Sequence, residues 1–440
     1  MSVLARARES LRTQSLCHRI GQVRRVRGLA IDTDGPEAGM GELCSIRIGP
    51  HAQPQVLAQV VALHGHQLTL VPFGDVDGVR AGAEVLALGL RGGPAPGPHL
   101  LGRVLDAFGA QLDGGSLCAL QQHAGASPAS NPLQRPRIRE VLETGIRVVD
   151  ALLTLGRGQR VGIFAGSGVG KSTLLGTIAR HVGADLNVIA LVGERSREVR
   201  EFLETQLGAR GLARSVVVVA TAEQPAAARV RAAHTAAALA HAFAAEGRHV
   251  LLTMDSITRL AMARRELGLA AGEPATARGY TPSVFAELPG LCERCGTTAA
   301  GGSVTALMTV LVEGDDLQEP IADALRSLLD GHVVLSRELA EQGHHPAIDV
   351  LRSTSRLFPE LATAQEKALA ASAVRYLALL QRHRPMVDLG AYQAGSHAAL
   401  DRALAIEPQL TAWMRQAAGG VSRDAALREL GELLATEATT

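Results

Sequence analysis

The chain has 440 residues, 44 basic and 43 acidic for a net charge of +1, and only 2% of them are aromatic. That length exceeds what one hydrophobic core supports, so two or three domains are expected; the even charge and scarce rings argue against a nucleic acid or an anionic membrane as bulk partner and against base stacking. Five Cys suit a reducing compartment, and with no signal-peptide block and no run near the roughly 20 apolar residues of a membrane span, a soluble cytoplasmic protein is expected.

Residues 1–20 read as a short amphipathic helix, with Leu4, Ala7 and Leu11 on one face and Arg6, Arg8 and Arg12 elsewhere. Such a helix either frays or docks on a partner protein or an acidic membrane surface. From 21 to about 90 the pattern changes. Short runs rich in Val, Ile and Leu (21–31, 42–48, 56–63, 67–72) alternate with turn residues such as Asp34-Gly35-Pro36 and Gly49-Pro50. This spacing predicts a small β-barrel. Residues 91–98 form a Gly/Pro linker, and a second loop-like stretch covers 121–136.

The centre alternates strands (160–165, 186–192, 215–221, 249–255, 304–312) with helices, including a long Ala-rich one over 226–246. That alternation predicts a mostly parallel sheet covered on both faces. Helices over 365–382 and from 398 to the end predict a helical C-terminal domain.

Residues 165–172 read Ala-Gly-Ser-Gly-Val-Gly-Lys-Ser between a strand and a helix. Glycine at 166, 168 and 170 leaves a backbone bare enough to fold around a polyphosphate and aim N–H groups at its oxygens. Lys171 can reach the β and γ phosphates, the Ser172 hydroxyl can ligate Mg²⁺, and the helix over 172–182 turns its positive end to the anion. The candidate nucleotide contacts are Ala165, Gly166, Ser167, Gly168, Val169, Gly170, Lys171, Ser172 and Thr173. The pattern ordinarily opens on Gly; Ala165 ends the strand and needs no positive φ, so the change is mild.

Hydrolysis also needs a positioned water, a metal anchor and a positive group that meets developing charge. Asp255 ends the apolar strand 249–255, at the edge where ligands bind. It can anchor the Mg²⁺ shell, partly through water, or cap the next helix. Glu194 follows the strand 188–192 and Gly193 in the same manner. It is a candidate base for the attacking water, or a surface Glu paired with Arg195 or Arg197. Arg356 suits a transferring phosphoryl group, on its own subunit or on a neighbour's. Cys292 and Cys295 form a CxxC, but zinc needs a second ligand pair and His344-His345 is not spaced for one, so no zinc is expected.

These motifs resemble the ATPase of bacterial type III protein export and, more broadly, the catalytic subunits of rotary ATP synthases. The resemblance runs from about residue 21 to 407. It is carried by 162–172, Gly-Glu-Arg-Ser-Arg-Glu-Val at 193–199, Met-Asp-Ser-Ile-Thr-Arg-Leu-Ala-Met-Ala at 254–263, Arg-Gly-Tyr-Thr-Pro-Ser-Val-Phe at 278–285, Asp-Gly-His-Val-Val-Leu-Ser-Arg at 330–337 and Gly-Ala-Tyr-Gln-Ala-Gly-Ser at 390–396. The phosphate loop is more similar to the flagellar branch than to the virulence injectisome.

The resemblance implies an α/β fold: a RecA-like P-loop NTPase core (93–365) with an N-terminal β-barrel (21–92) and a C-terminal helical domain (366–440). It implies a homohexameric ring that hydrolyses ATP with Mg²⁺ at subunit interfaces. Lys171 and Ser172 match the phosphate and Mg²⁺ contacts, Glu194 the catalytic glutamate, Asp255 the metal-side aspartate, and Arg356 an arginine finger given to the adjacent subunit. Arg195 completes the candidate catalytic set.

Implied partners are a stator-like regulator on residues 1–20, a central stalk protein, the export gate and chaperone–substrate complexes, with the protein peripheral at the inner-membrane export apparatus and no nucleic acid bound. Two positions depart from the pattern. His345 stands where an aromatic stacks on adenine, and 381–388 is unusually basic. A rotary synthase subunit would carry an acidic C-terminal segment that is missing here, an RNA translocase would want more rings and charge, and a ring scaffold without turnover would not keep Glu194.

Overall fold

The computed structural model describes residues 20–48, 55–88, 93–94, 96–114, 120–121, 132–312, 314, 316–417 and 419–435. The expected N-terminal helix, residues 91, 92 and 95 of the 91–98 connection and most of the 121–136 connection lie outside them.

Six strands, β1 (Ile20–Arg27), β2 (Ala30–Asp34), β3 (Leu43–Arg47), β4 (Gln55–His64), β5 (Gln67–Pro72) and β6 (Glu84–Ala87), close a barrel in the order β1-β2-β5-β4-β3-β6. Alternate residues point inward, so Val23, Ile31, Ile46, Val60, Leu70 and Val85 fill the interior. The run expected as one strand over 21–31 is two: Gly28, at φ 52°, turns the chain between β1 and β2.

The core is a mixed sheet. Its strands β7 (Val104–Leu105), β8 (Arg160–Ala165), β9 (Leu186–Val192), β10 (Ser215–Ala220), β11 (His249–Asp255), β12 (Ser303–Leu311), β13 (Gly331–Leu335) and β14 (Ile348–Ser355) lie in the order β14-β13-β8-β12-β11-β9-β10-β7. Of these eight, all pair in parallel except β14, which runs antiparallel to β13 at the edge, and a short strand at Gly296–Thr297 adds an antiparallel pairing to β12.

Both faces are buried, which is why the strands read as continuous apolar runs. In β9, Val188 and Ala190 face one core while Ile189 and Leu191 face the other. The first face is covered by α2 (Ala226–Ala245), α3 (Ile257–Ala270), α4 (Pro282–Glu293) and α5 (Pro320–Leu328), after α1 (Lys171–His181), which covers the second. The Ala side chains of α2 allow that helix to approach the sheet closely.

The C-terminal helices α6 (Ala364–Asp388), α7 (Ala398–Met414) and α8 (Arg423–Ala435) join the second core through Ala373, Ile406, Leu410, Trp413 and Leu430. The helix expected from 398 to the end is therefore broken. The chain leaves the helix at Arg415, which is extended, and then passes Gly419 and Gly420, where a Cβ on Gly420 would lie 2.5 Å from the His181 ring on α1. Only a residue without a side chain lets the chain pass there.

Candidate functional site

The carboxyl edge of the parallel strands collects the site. β8 ends at Ala165, and the loop to α1 follows. Gly168 and Gly170 have φ of 78° and 88°, a left-handed backbone that only glycine adopts without strain. Val169 is buried in the second core and anchors the loop, while Ser167, Ser172 and Thr173 are exposed at its rim. Gly170 caps α1, and the carbonyl of Gly170 accepts from the Leu174 amide at 3.0 Å. The loop thus presents its amides and the positive end of a helix to one place.

Lys171, the first residue of α1, is 12% exposed. Its Nζ donates to Asp255 Oδ1 at 2.5 Å and to Glu194 Oε1 at 3.3 Å. These three residues come from α1, from the end of β11 and from the turn after β9. Burial opposes the lysine's charge, but the facing Asp255 and Glu194 carboxylates outweigh it and raise its pKa.

Asp255 does not cap the following helix. That role belongs to Ser256, whose Oγ accepts from the Arg259 amide at 3.2 Å. The Asp255 side chain, 4% exposed, is left for the site. Glu194 is not a surface residue paired with Arg195 or Arg197. It is 15% exposed, and burial pushes its carboxyl up to about 7; Lys171 opposes that rise and Asp255 adds to it. A carboxyl titrating near neutrality beside a phosphate loop is suited to proton transfer. Arg195 lies outside this cluster: its side chain is 75% exposed and 3.8 Å from Glu198.

Two participants escaped residue-level reading. Thr309, on β12 between β8 and β11, donates to Asp255 Oδ1 at 2.7 Å and orients it. A Thr inside an apolar strand gives no signal until the strand order is known. Arg259 packs its Cβ where a Gly193 side chain would go, 2.8 Å from that point, and its Nε is buried without a hydrogen-bond partner. Gly193 accordingly has φ 73° and no room for substitution. One helical turn beyond Asp255 in the 254–263 segment was the available clue.

His345 also reaches the loop. It precedes β14, is exposed, and its Nδ1 lies 3.5 Å from where a Gly170 Cβ would stand. Arg356 goes the other way. It follows β14, whose Ser355 pairs with Gly331 at the start of β13, while Ile348 pairs with Leu335 at its end. Arg356 therefore sits at the amino edge of the sheet, about 20 Å of strand from its own phosphate loop at ~3.3 Å per residue.

The donor set matches a hard cation. A serine hydroxyl and a carboxylate beside a phosphate-binding loop are oxygen ligands of the kind Mg²⁺ takes. Cys292 and Cys295 lie elsewhere, buried at the end of α4 with Cys292 Sγ 3.8 Å from Met308 Sδ, and burial pushes both thiols up, to about 11 and about 12.

Three family profiles match consecutive parts of the chain. The beta-barrel domain of the ATP synthase alpha/beta family matches residues 23–89, its nucleotide-binding domain 145–355, and the T3SS EscN ATPase C-terminal domain 362–432. The flagellum-specific ATP synthase of Bacillus subtilis is 48% identical over 417 residues, covering 93% of each chain. The SPI-2 type 3 secretion system ATPase of Salmonella typhimurium is 46% identical, covering 90% of each.

Among solved structures, the assembled ATPase EscN of the enteropathogenic E. coli type III secretion system superposes with a TM-score of 0.86 at 39% identity. That match covers 94% of this chain and 100% of EscN. EscN has also been solved in complex with its central stalk EscO, with a TM-score of 0.84 to this chain. With barrel, nucleotide-binding core and helical C-terminus all matched over most of its length, this chain belongs to the ATPases of type III protein export, within the wider ATP synthase alpha/beta family.

Proposed function

We propose that this chain hydrolyses Mg-ATP where two copies meet in a homohexameric ring, and that the turnover energises type III protein export of the flagellar kind. The observation that carries the reading is the division of one site between two edges. Lys171, Glu194 and Asp255 converge at the carboxyl edge, while Arg356 lies about a strand's length away at the other. A copy that offers both halves completes a site only against another copy, which suits a closed ring.

In that site the amides of 166–170 and the start of α1 bind the phosphates. Lys171 exchanges Asp255 and Glu194 for phosphate oxygens, which frees both carboxylates. Ser172 and Asp255 would hold Mg²⁺, the latter partly through water; the bound ion supplies neutralisation of the phosphate charge. Glu194, once deprotonated, accepts a hydrogen bond from the attacking water and orients it. Arg356 of the adjacent copy meets the charge that develops on the transferring phosphoryl group. Arg195, exposed on the turn that carries Glu194, is a further candidate for that phosphoryl group, and His345 offers a face to the adenine.

The loop sequence at 165–170 supports the flagellar branch; the injectisome reading is supported by the match to the EscN C-terminal domain. Export substrates delivered by chaperones, the export gate, a central stalk and a stator-like regulator on residues 1–20 are the partners this reading assigns, with the ring on the cytoplasmic side of the inner membrane. Among the described residues no helix is long and apolar enough to cross a membrane. The test is ATPase rate per subunit against protein concentration. A cooperative rise with ring formation is expected, and a full rate in dilute monomer would refute the interface site. Restoring motility to a strain that lacks its flagellar export ATPase, but not secretion to an injectisome mutant, would support the branch.

A further inference from the structure

The root of Arg356 is tied to the foot of the chain's own phosphate-loop strand through one residue, Asp330, in the turn between α5 and β13. Every hydrogen-bonding group of Asp330 is engaged. Its amide donates to the Arg160 carbonyl at 2.9 Å, and its own carbonyl accepts the Arg356 amide at 2.9 Å. Its carboxylate accepts from the Arg160 amide and Nε at 3.0 Å on one oxygen and from Nη2 at 3.1 Å on the other. Gln159, fully buried, adds a second clamp: its Nε2 donates to Ser355 Oγ at 3.0 Å and to the Asp330 carbonyl at 3.3 Å.

The outer end of the arginine is held as well, with Nη2 donating to the Arg326 carbonyl near the end of α5 at 3.2 Å. The β13–β14 ladder alone does not supply this rigidity. Its register breaks between His332 and Val334, so only the Gly331–Ser355 and His332–Thr354 pairs lie on the Arg356 side of the break.

We infer that Asp330, gripped by Arg160 and Gln159, is the positioning residue that sets where Arg356 projects from the subunit. The inference rests on the reading of Arg356 as a group given to the neighbouring copy. A charged group that serves a transition state across an interface must be held to within a fraction of an ångström, and a misplacement near 1 Å can cost about 10²-fold in rate. A bidentate Arg–carboxylate pair next to the arginine's own backbone amide provides such a hold.

Mixed rings test it. The control is Arg356→Ala with Glu194→Gln. Restored turnover there establishes a finger supplied in trans; its absence refutes that reading, and this inference with it. Asp330→Asn keeps the shape and the backbone bonds but removes the charge that Arg160 grips through Nε and Nη2, leaving its Nη1 on Glu293 Oε1 at 2.7 Å. Alone it should lower kcat by about 10²-fold while nucleotide affinity stays within about twofold.

Mixed with Glu194→Gln, which brings an intact Arg356, it should regain at least tenfold, since roughly a quarter of interfaces in a random ring then pair its sound phosphate loop with a sound arginine. Mixed with Arg356→Ala it should regain nothing. Rescue by Arg356→Ala would mean that Asp330 serves its own phosphate loop, and overturns the inference; so does rescue by both partners, rescue by neither in folded protein, or an unchanged kcat. If Asp330→Asn does not fold, Arg160→Lys, which keeps the charge but not the bidentate grip, takes its place. Failure of both to fold makes the pair a folding element and ends the proposal.

Discussion

Lys171 Nζ stands 2.5 Å from Asp255 Oδ1, so the lysine proposed to bind phosphate is paired with the carboxylate proposed to anchor the metal. Lys171→Ala removes the cation between two buried carboxylates. Phosphate release should stop. The nucleotide-free variant should also lose stability as pH rises, because Glu194, already raised by burial, loses the cation that opposed the rise, and the fold then prefers it protonated. Thermal melts near pH 6 and pH 8 check this; a variant that melts higher at the alkaline end contradicts it.

Glu194 titrates near 7 because it is buried, with Lys171 holding it down and Asp255 pushing it up. As a base it works ionised, so kcat/KM should rise with pH through about 7 and level off above. Its contribution to stability has the opposite sense. A carboxyl with a folded pKa above the unfolded one favours the fold at low pH and loses that advantage as pH climbs from its ordinary value to about 7. Glu194→Gln should bind ATP, barely turn over, and flatten the stability profile in that window. A variant with wild-type turnover would remove Glu194 from the mechanism.

Arg356→Ala should lower kcat by ~10³ with little change in nucleotide affinity, as expected for a group that acts on the transferring phosphoryl group alone. The same protein should regain activity on mixing with Glu194→Gln. Pre-steady-state phosphate release separates this effect from slow product release.

His345 lies against Gly170 and presents a small, polar ring where adenine is expected. His345→Phe should tighten ATP binding by about 1 kcal/mol, roughly fivefold in Kd, and His345→Ala should weaken it. Fluorescent-nucleotide titration measures both, and equal affinities for the three proteins would take His345 out of the base site.

Thr363 and Glu366 form a capping box at the start of α6, and Glu366 also accepts from Arg423 Nη1 on α8 at 2.7 Å. That hydrogen bond holds the Glu366 carboxyl below its ordinary value. The stability it adds is present above the ordinary carboxylate range and is lost as pH falls through the lowered one. Glu366→Ala should cost about 3 kcal/mol near neutrality, by losing the cap and leaving Arg423 partly buried without its partner. Denaturant unfolding at pH 7 and pH 4 should show the gap between the two proteins narrowing in acid.

Much of the molecule is legible in its sequence. The glycine pattern at 166–170 specifies its own backbone, because left-handed residues and a following helix are local properties. The apolar strands ending in Asp255 and near Glu194 located both carboxylates at the ligand edge by topology alone. What escaped was non-local or broken by small residues. The 21–31 run looked continuous because Gly28 is a single residue, and the C-terminal helix looked unbroken because the contact of Gly420 with His181 lies on another element.

The chain order of residues, by itself, determined the phosphate loop, the class of sheet and the kind of chemistry, since each depends on neighbours within a few positions or on the two-residue period of a strand. The tertiary structure alone decided that Lys171 meets both carboxylates, that Thr309 steadies one of them, and that Arg356 leaves by the opposite edge. Those outcomes follow from which strands lie side by side and which one runs backwards. Pairing across long stretches of chain is settled by how the whole core packs, and no local pattern encodes it.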